Sequence, residues 1–148
     1  MISLANEQDL AAVAASYEEL MDWEDAHGTT TNWSRGHYPT LATAEGALAA
    51  GTLYVLREDG ALCASMILNG EQLAEYAAVA WQVPAADSEV LVIHTLCVPP
   101  SQAGHGYGSR MVRYGLAQAA SRGCRAMRLD TWQGNLPAQA LYRKLGFR

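Results

Sequence analysis

The sequence predicts an α/β fold, and three stretches carry that prediction. An apolar run from Val90 to Ile93 continues through Leu96 and Val98 and stops at Pro99-Pro100, which reads as the end of a buried strand. Gly104, Gly106 and Gly108 then lead into Ser109 and beyond, where Met111, Val112, Gly115, Leu116 and Ala119 recur at helical spacing, and Ala126 to Thr131 reads as a further strand. Strand, crossover helix and strand in succession make the two strands parallel neighbours. Ahead of them, Thr52 to Leu56 and Ala61 to Leu68 flank Asp59-Gly60, the strongest hairpin signal in the chain, so two antiparallel strands precede the parallel pair.

The other elements follow in order. Ile2 to Leu4 alternates as a short first strand, and Asn6 with Glu7 and Asp9 behind it makes a helix cap with acids in the first turn. Leu10, Val13, Tyr17, Leu20 and Met21 share one face of a helix ending near Asp25. His27 to Pro39 is a polar loop carrying Trp33, His37 and Tyr38, rings that either pin the loop to the core or wall a substrate pocket. Thr43 to Ala50 is a second helix closed by Gly51. Gly70 to Glu89, with Glu71, Glu75, Tyr76 and Trp81, has no clean period. Gly123 stops the central helix. Asn135 caps a last helix with Pro137 in its first turn and Leu141, Tyr142 and Leu145 on its apolar side, and Phe147-Arg148 reads as the start of a strand.

A length of 148 residues implies one domain, 1–148, with enough chain for a single core. Half the residues are apolar and 17% are charged, the balance of a folded protein. No stretch is apolar enough to span a membrane and no charged-then-apolar leader opens the chain, so a soluble cytoplasmic protein with no membrane partner is expected. Cys63, Cys97 and Cys124 are odd in number and widely spaced, the pattern of reduced, buried thiols rather than a disulfide frame or metal site. The net charge of -5 is unevenly spread: residues 1–89 hold two arginines against fourteen acids, and residues 90–148 hold eight basic residues against Asp130 alone. Such a split suits a basic half that holds an anionic cofactor and an acidic half that draws in a cationic substrate, or else solvated helix faces. Nucleic acid is not suggested, since the arginines lack interleaved aromatics.

The glycine turn is the candidate site. Free N–H groups at a helix start, with the positive end of the helix dipole, bind anions, and residues without side chains let a phosphate approach the backbone, so a phosphorylated cofactor is expected. A Walker loop is excluded because no lysine follows the glycines. A dinucleotide fingerprint is nearer, with Asp130 at the spacing of a ribose-binding acid, but its third glycine falls at Ser109 and Pro99-Pro100 separates the turn from the strand.

LCVPPSQAGHGYGSRMV, with LDTWQGNLPAQALYRKLGF behind it, resembles the two signature regions of the GNAT N-acetyltransferase superfamily over nearly the whole chain. That resemblance implies a GNAT-like acyl-CoA N-acyltransferase fold: a mixed sheet flanked by helices, splayed beside its central strand, with acetyl-CoA in the splay. It implies that the backbones of Leu96 and Val98 pair with the pantetheine arm. Amides from Ala103 to Ser109, with Gly104, His105, Gly106 and Gly108 between, would hold the pyrophosphate, and Asn135 would meet the pantetheine. Two departures stand out. Ala103 replaces the usual Gln or Arg, a loss of about 1 kcal/mol for one side-chain hydrogen bond, and the strand that follows Phe147 in the family is missing, so either the sequence is truncated there or the sheet has an edge that a partner could cover. Dimers are common in the superfamily, and a homodimer is an expectation of the same kind.

By the resemblance Tyr142 is the proton donor to the coenzyme A sulfur, a general acid; the alternative is a core tyrosine on an amphipathic helix. Presenting an amine of pKa about 10.4 in neutral form at pH 7 costs on the order of 4.6 kcal/mol, so a base is useful. Some members carry a glutamate at the place of Val92. His94, two residues on and facing the same way, is the first candidate here, with Glu75 or a water chain as rivals. The expected function is acetyl transfer from acetyl-CoA to a small cationic or amino-acid-like amine, with Trp33, Tyr38 and Glu75 as acceptor-side candidates. A protein N-terminus or lysine as acceptor, a non-catalytic acyl-CoA sensor, and a nicotinamide-dependent enzyme are the other readings.

Overall fold

A computed structural model describes residues 1–148. Its sheet has five strands, β1 (Ile2–Leu4), β2 (Leu53–Glu58), β3 (Ala61–Asn69), β4 (Val90–Cys97) and β5 (Ala126–Arg128), ordered as in the sequence. Every pairing is antiparallel except β4 with β5, which is parallel, so the sheet is mixed. The hairpin turn is made by Asp59 and Gly60, both with positive φ as a two-residue primed turn requires.

Alternation along the strands divides the core between two faces. Tyr54, Leu56, Met66, Leu68, Leu91 and Ile93 pack with Met111 and Val112 of α3 (Tyr107–Ser121), and Leu141, Tyr142 and Leu145 adjoin the same cluster, contributed by and just beyond α4 (Leu136–Lys144). Leu53, Val55 and Ile67 pack on the other face with Val13, Tyr17 and Met21 of α1 (Leu10–His27) and Ala44 and Ala47 of α2 (Leu41–Ala50). Val90 and Val92 are covered by Tyr76 and Trp81 from the segment whose sequence showed no period; it contains only short 3₁₀ turns, at Ala74–Ala78 and Asp87–Glu89.

One irregularity shapes the site. Ile67 of β3 pairs with His94 and Ser65 with Cys97, so Thr95 and Leu96 together oppose the single residue Met66. Thr95 takes a positive φ of 52° to make this bulge. The extra residue inverts the facing of the strand: Leu91 and Ile93 share the α3 face with Leu96 and Val98, while Cys97 joins the α1 side. Pairing of β4 with β5 ends at Val92 and Arg128, and from there the two strands splay. The strand expected to run to Thr131 therefore stops at Arg128, because the residues after it line the gap instead of following β4.

Other boundaries shift for local reasons. Asn6 caps a 3₁₀ turn at Glu7–Asp9, and α1 follows at Leu10 and runs to His27. α3 begins at Tyr107 with Gly106 as its cap, so Gly108 and Ser109 belong to the helix's first turn rather than to the loop. Phe147 and Arg148 form no strand; the Phe147 ring packs edge-on to Tyr142 at 5.8 Å, and β5 is an edge strand.

Gly115 lets α3 lie close against the sheet. A Cβ there would sit 3.0 Å from Cε of Met127 and 3.5 Å from Cδ1 of Ile93. Gly115→Ala needs only the flexible end of Met127 to yield. Gly115→Val drives two more carbons into Ile93 and Leu68, and urea unfolding should show it about 2 kcal/mol less stable; a variant within 0.5 kcal/mol of wild type, on the order of experimental scatter, would show that the helix moves freely.

Candidate active site

The splay opens a cleft of about 550 Å³ on the side of β4 that β5 has left. It gathers Ile93 to Leu96 and Val98 from the central strand, Gly108 from α3, Asp130 to Trp132 from the connection after β5, and Asn135, Leu141 and Tyr142 from the last helix and its cap. Thr30, Thr31, Trp33 and Tyr38 close it from the loop after α1. A second hollow, about 640 Å³, runs along β5; Arg125, Arg128 and Arg148 are its only ionisable groups, so it lacks a residue that exchanges protons near neutrality.

The backbone before α3 is arranged for an anion. The N–H groups of Gly104, His105, Gly106, Tyr107, Gly108 and Ser109 have no acceptor within the protein, and the first protein-bonded amide of the helix is that of Arg110, to the Gly106 carbonyl at 3.1 Å. Gly104 and Gly106 have φ of 84° and 76°, which turns successive amides the same way. Ala103 does not belong to this cradle, a correction to the expected span: its N–H closes a 3₁₀ turn on the Pro100 carbonyl at 3.1 Å. Of the turn residues only Gly108 lines the cleft itself, where a Cβ would be 3.3 Å from Leu141. Neither backbone group of Val98 is bonded within the protein, so that residue can pair with an extended ligand. Asn135 spends its side-chain oxygen on the α4 cap, accepting from the Ala138 N–H at 3.2 Å, and its amide NH₂ remains to donate.

Two proton carriers face the cleft. Burial, with the charge of Asp130 second, pushes the Tyr142 hydroxyl up to about 12, so it is protonated across the physiological range. His94 Nε2 lies 2.8 Å from Oδ1 of Asn69, and the same oxygen accepts the backbone N–H of Glu71 at 3.0 Å. The second bond settles the first. A backbone N–H only donates, so the Asn69 oxygen, not its nitrogen, faces this point, Nε2 of His94 must carry the proton, and Nδ1 keeps the lone pair.

The acids of α1 are engaged elsewhere. Glu24, 6% exposed, accepts from the N–H groups of Thr30 (2.6 Å) and Thr31 (2.8 Å) and from both threonine hydroxyls. Burial alone would raise its carboxyl, but these four donors hold it below the ordinary carboxylate range. Glu19 accepts from the N–H and hydroxyl of Ser101, and Glu18, Asp22 and Asp25 surround Arg35. These carboxylates bind the cleft's loops to α1, and none lines the cleft. Asp130, from the basic half, is the carboxylate in the lining.

Of the residues expected from the sequence, Trp33, Tyr38, His94, Leu96, Val98, Gly108, Asn135 and Tyr142 all line this cleft. Glu75 is outside it: its side chain is exposed, and the adjacent Tyr76 turns inward to donate to Asp130 Oδ1 at 2.7 Å. Missed altogether were Asn69, Thr30, Thr31, Thr95, Thr131 and Trp132. Only Asp130 had a signal, as a strand-end acid, and it was read there for a different cofactor.

Residues 14–147 match the model of the Acetyltransferase (GNAT) family. The chain belongs to the GNAT acetyltransferases. A crystal structure of a putative acetyltransferase from Staphylococcus aureus Mu50 is 26% identical, with a TM-score of 0.79 over 100% of this chain and 91% of that one. AAC(6')-Iy, solved with the bisubstrate analogue CoA-S-monomethyl-acetylneamine, shares the fold at 20% identity and a TM-score of 0.68, over 100% of this chain and 90% of its own. A Mycobacterium tuberculosis protein solved with CoA shares it at 17% identity and 0.64, over 99% and 70%. A search of curated proteins found none that matches. The GNAT chain has no helix long and apolar enough to cross a membrane.

Proposed function

We propose that this GNAT protein transfers an acetyl group from acetyl-CoA to the primary amine of a small acceptor by direct attack, with Tyr142 as general acid and His94 as general base. The observation that carries the reading is the row of six unbonded amides from Gly104 to Ser109, leading directly into a cleft that holds both proton carriers. Six N–H donors at a helix start suit the diphosphate of coenzyme A, and Val98 offers the backbone pairing an extended pantetheine arm takes. Acetyl-CoA supplies the activated acyl group. The chain's own residues do the rest: Nδ1 of His94, left basic by the bond of Nε2 to Asn69, receives the proton that the ammonium must lose, and the Tyr142 hydroxyl gives one to the departing thiolate.

Release of coenzyme A, followed with a thiol reagent over a panel of amines, tests the transfer. Acetyl-CoA binding too weak for calorimetry to detect would end this reading. Asn69 gives a second handle. In Asn69→Leu the proton is free to move to Nδ1, so the imidazole ¹⁵N signals of His94 should shift toward the other tautomer, and kcat should fall about tenfold, less than the roughly 100-fold or more that losing an acid-base group outright costs, because the ring itself remains. Unchanged ¹⁵N signals would show that Asn69 does not set the tautomer; an unchanged kcat with shifted signals would remove His94 as the base.

A further inference from the structure

We propose that Asp130 anchors the ammonium group of the acceptor, and that the acceptors are primary amines with an apolar or aromatic body and no carboxylate. This rests on the acetyl-transfer reading of the same cleft and narrows it.

The charges of the lining carry the argument. Asp130 is its one carboxylate, and neither lysine nor arginine lines it. The carboxylate is held from behind: Tyr76, 5% exposed and packed edge-on to Trp81 at 5.1 Å, donates its hydroxyl to Oδ1 at 2.7 Å. One oxygen is thereby fixed and Oδ2 keeps its lone pairs for a ligand. Asp130 and Tyr142 line the same cleft.

Aromatic and aliphatic groups share the cleft with that charge. Trp132 follows two residues later, and its indole lies over Gly134, where a Cβ would meet Cζ3 at 2.3 Å; only a residue without a side chain lets the ring rest there. Trp33, Tyr38, Leu20 and Leu73 line the same cleft. A carboxylate beside aromatic faces suits an ammonium with an apolar body. An acceptor with its own carboxylate meets repulsion from Asp130 and finds no cation to offset it. The site therefore selects an amine over the amino acid from which decarboxylation would produce it.

The probes are phenethylamine and phenylalanine, titrated into the protein–CoA complex by calorimetry, with tryptophan fluorescence reporting from Trp33 and Trp132. Phenylalanine should bind the wild type at least about tenfold more weakly than phenethylamine, Asp130→Asn should weaken phenethylamine about tenfold and close that gap, and Tyr76→Phe should weaken it about threefold. CoA affinity within about twofold of wild type in both variants would show the fold intact. If phenethylamine does not bind the wild type, binds Asp130→Asn equally well, or is matched by phenylalanine, the anchor is overturned. Because CoA in place of acetyl-CoA needs no turnover, the pattern can hold while no amine is acetylated: the transfer reading then falls and the anchor stands.

Discussion

Tyr142→Phe is expected to lower kcat about 100- to 1000-fold, the range a general acid contributes, while leaving the Michaelis constants for acetyl-CoA and amine within about threefold. The substitution removes one oxygen and keeps the ring that packs against Phe147, so thermal unfolding should not move. The pH dependence is part of the same expectation. An ordinary tyrosine loses its proton near 10, but burial and then the Asp130 charge push this hydroxyl up to about 12. A raised pKa keeps the acid form present as pH climbs, so a fall in kcat between pH 9 and 11, about one unit either side of an ordinary phenol, must have another source. A Tyr142→Phe enzyme with kcat within twofold of wild type, roughly the scatter of such assays, would remove the hydroxyl from the mechanism.

Glu24→Ala should cost about 3 kcal/mol in urea unfolding, because it strips the acceptor from two backbone N–H groups and two hydroxyls at once, and bonds to an ionised carboxylate are the stronger kind. It should also raise the Michaelis constant for the amine more than that for acetyl-CoA, since Thr30 and Thr31 line the cleft from the loop after α1, separate from the glycine turn. The folded carboxyl is depressed below its unfolded value near 4.3, so its contribution is present above about pH 4.3 and is lost as pH falls through the folded pKa. The gap between variant and wild type should therefore be full at pH 7 and close in acid. Asp9, held down by Arg57 and the Asn6 N–H against the raising effect of burial, adds stability with the same sign and window. A stability gap that stays constant from pH 7 to pH 3, a span of about four units around the carboxylate range, would contradict this account.

The uneven charge of the chain is explained by these contacts. Glu19 pins Ser101, just ahead of the anion-binding turn, and Arg35 ties the far end of the cleft loop to three acids of the same helix. What composition presents as an acidic half is, along α1, a set of loop anchors. The residue proposed to meet a cationic acceptor is the one acid of the basic half.

The family and the position of the glycine turn were legible from the sequence alone, because both depend on local patterns. The turn signals of Asp59-Gly60, the glycine spacing before α3 and the cap at Asn135 are backbone requirements written in adjacent residues. The apolar periods that bury Val13, Tyr17, Met111 and Val112 are equally local. Tertiary structure decided the rest. The bulge at Thr95 appears only when β4 is laid against β3, since a β-branched residue at positive φ has no signature in its own neighbours. The splay of β5, which begins where its pairing with β4 ends at Val92 and Arg128, is likewise tertiary. Asn69 comes to His94 across a strand pair, 25 residues apart, and Tyr76 comes to Asp130 across 54. The first bond depends on strand register, where one residue of slip would turn the side chain to the opposite face of the sheet; the second joins a 3₁₀ turn to the segment after β5.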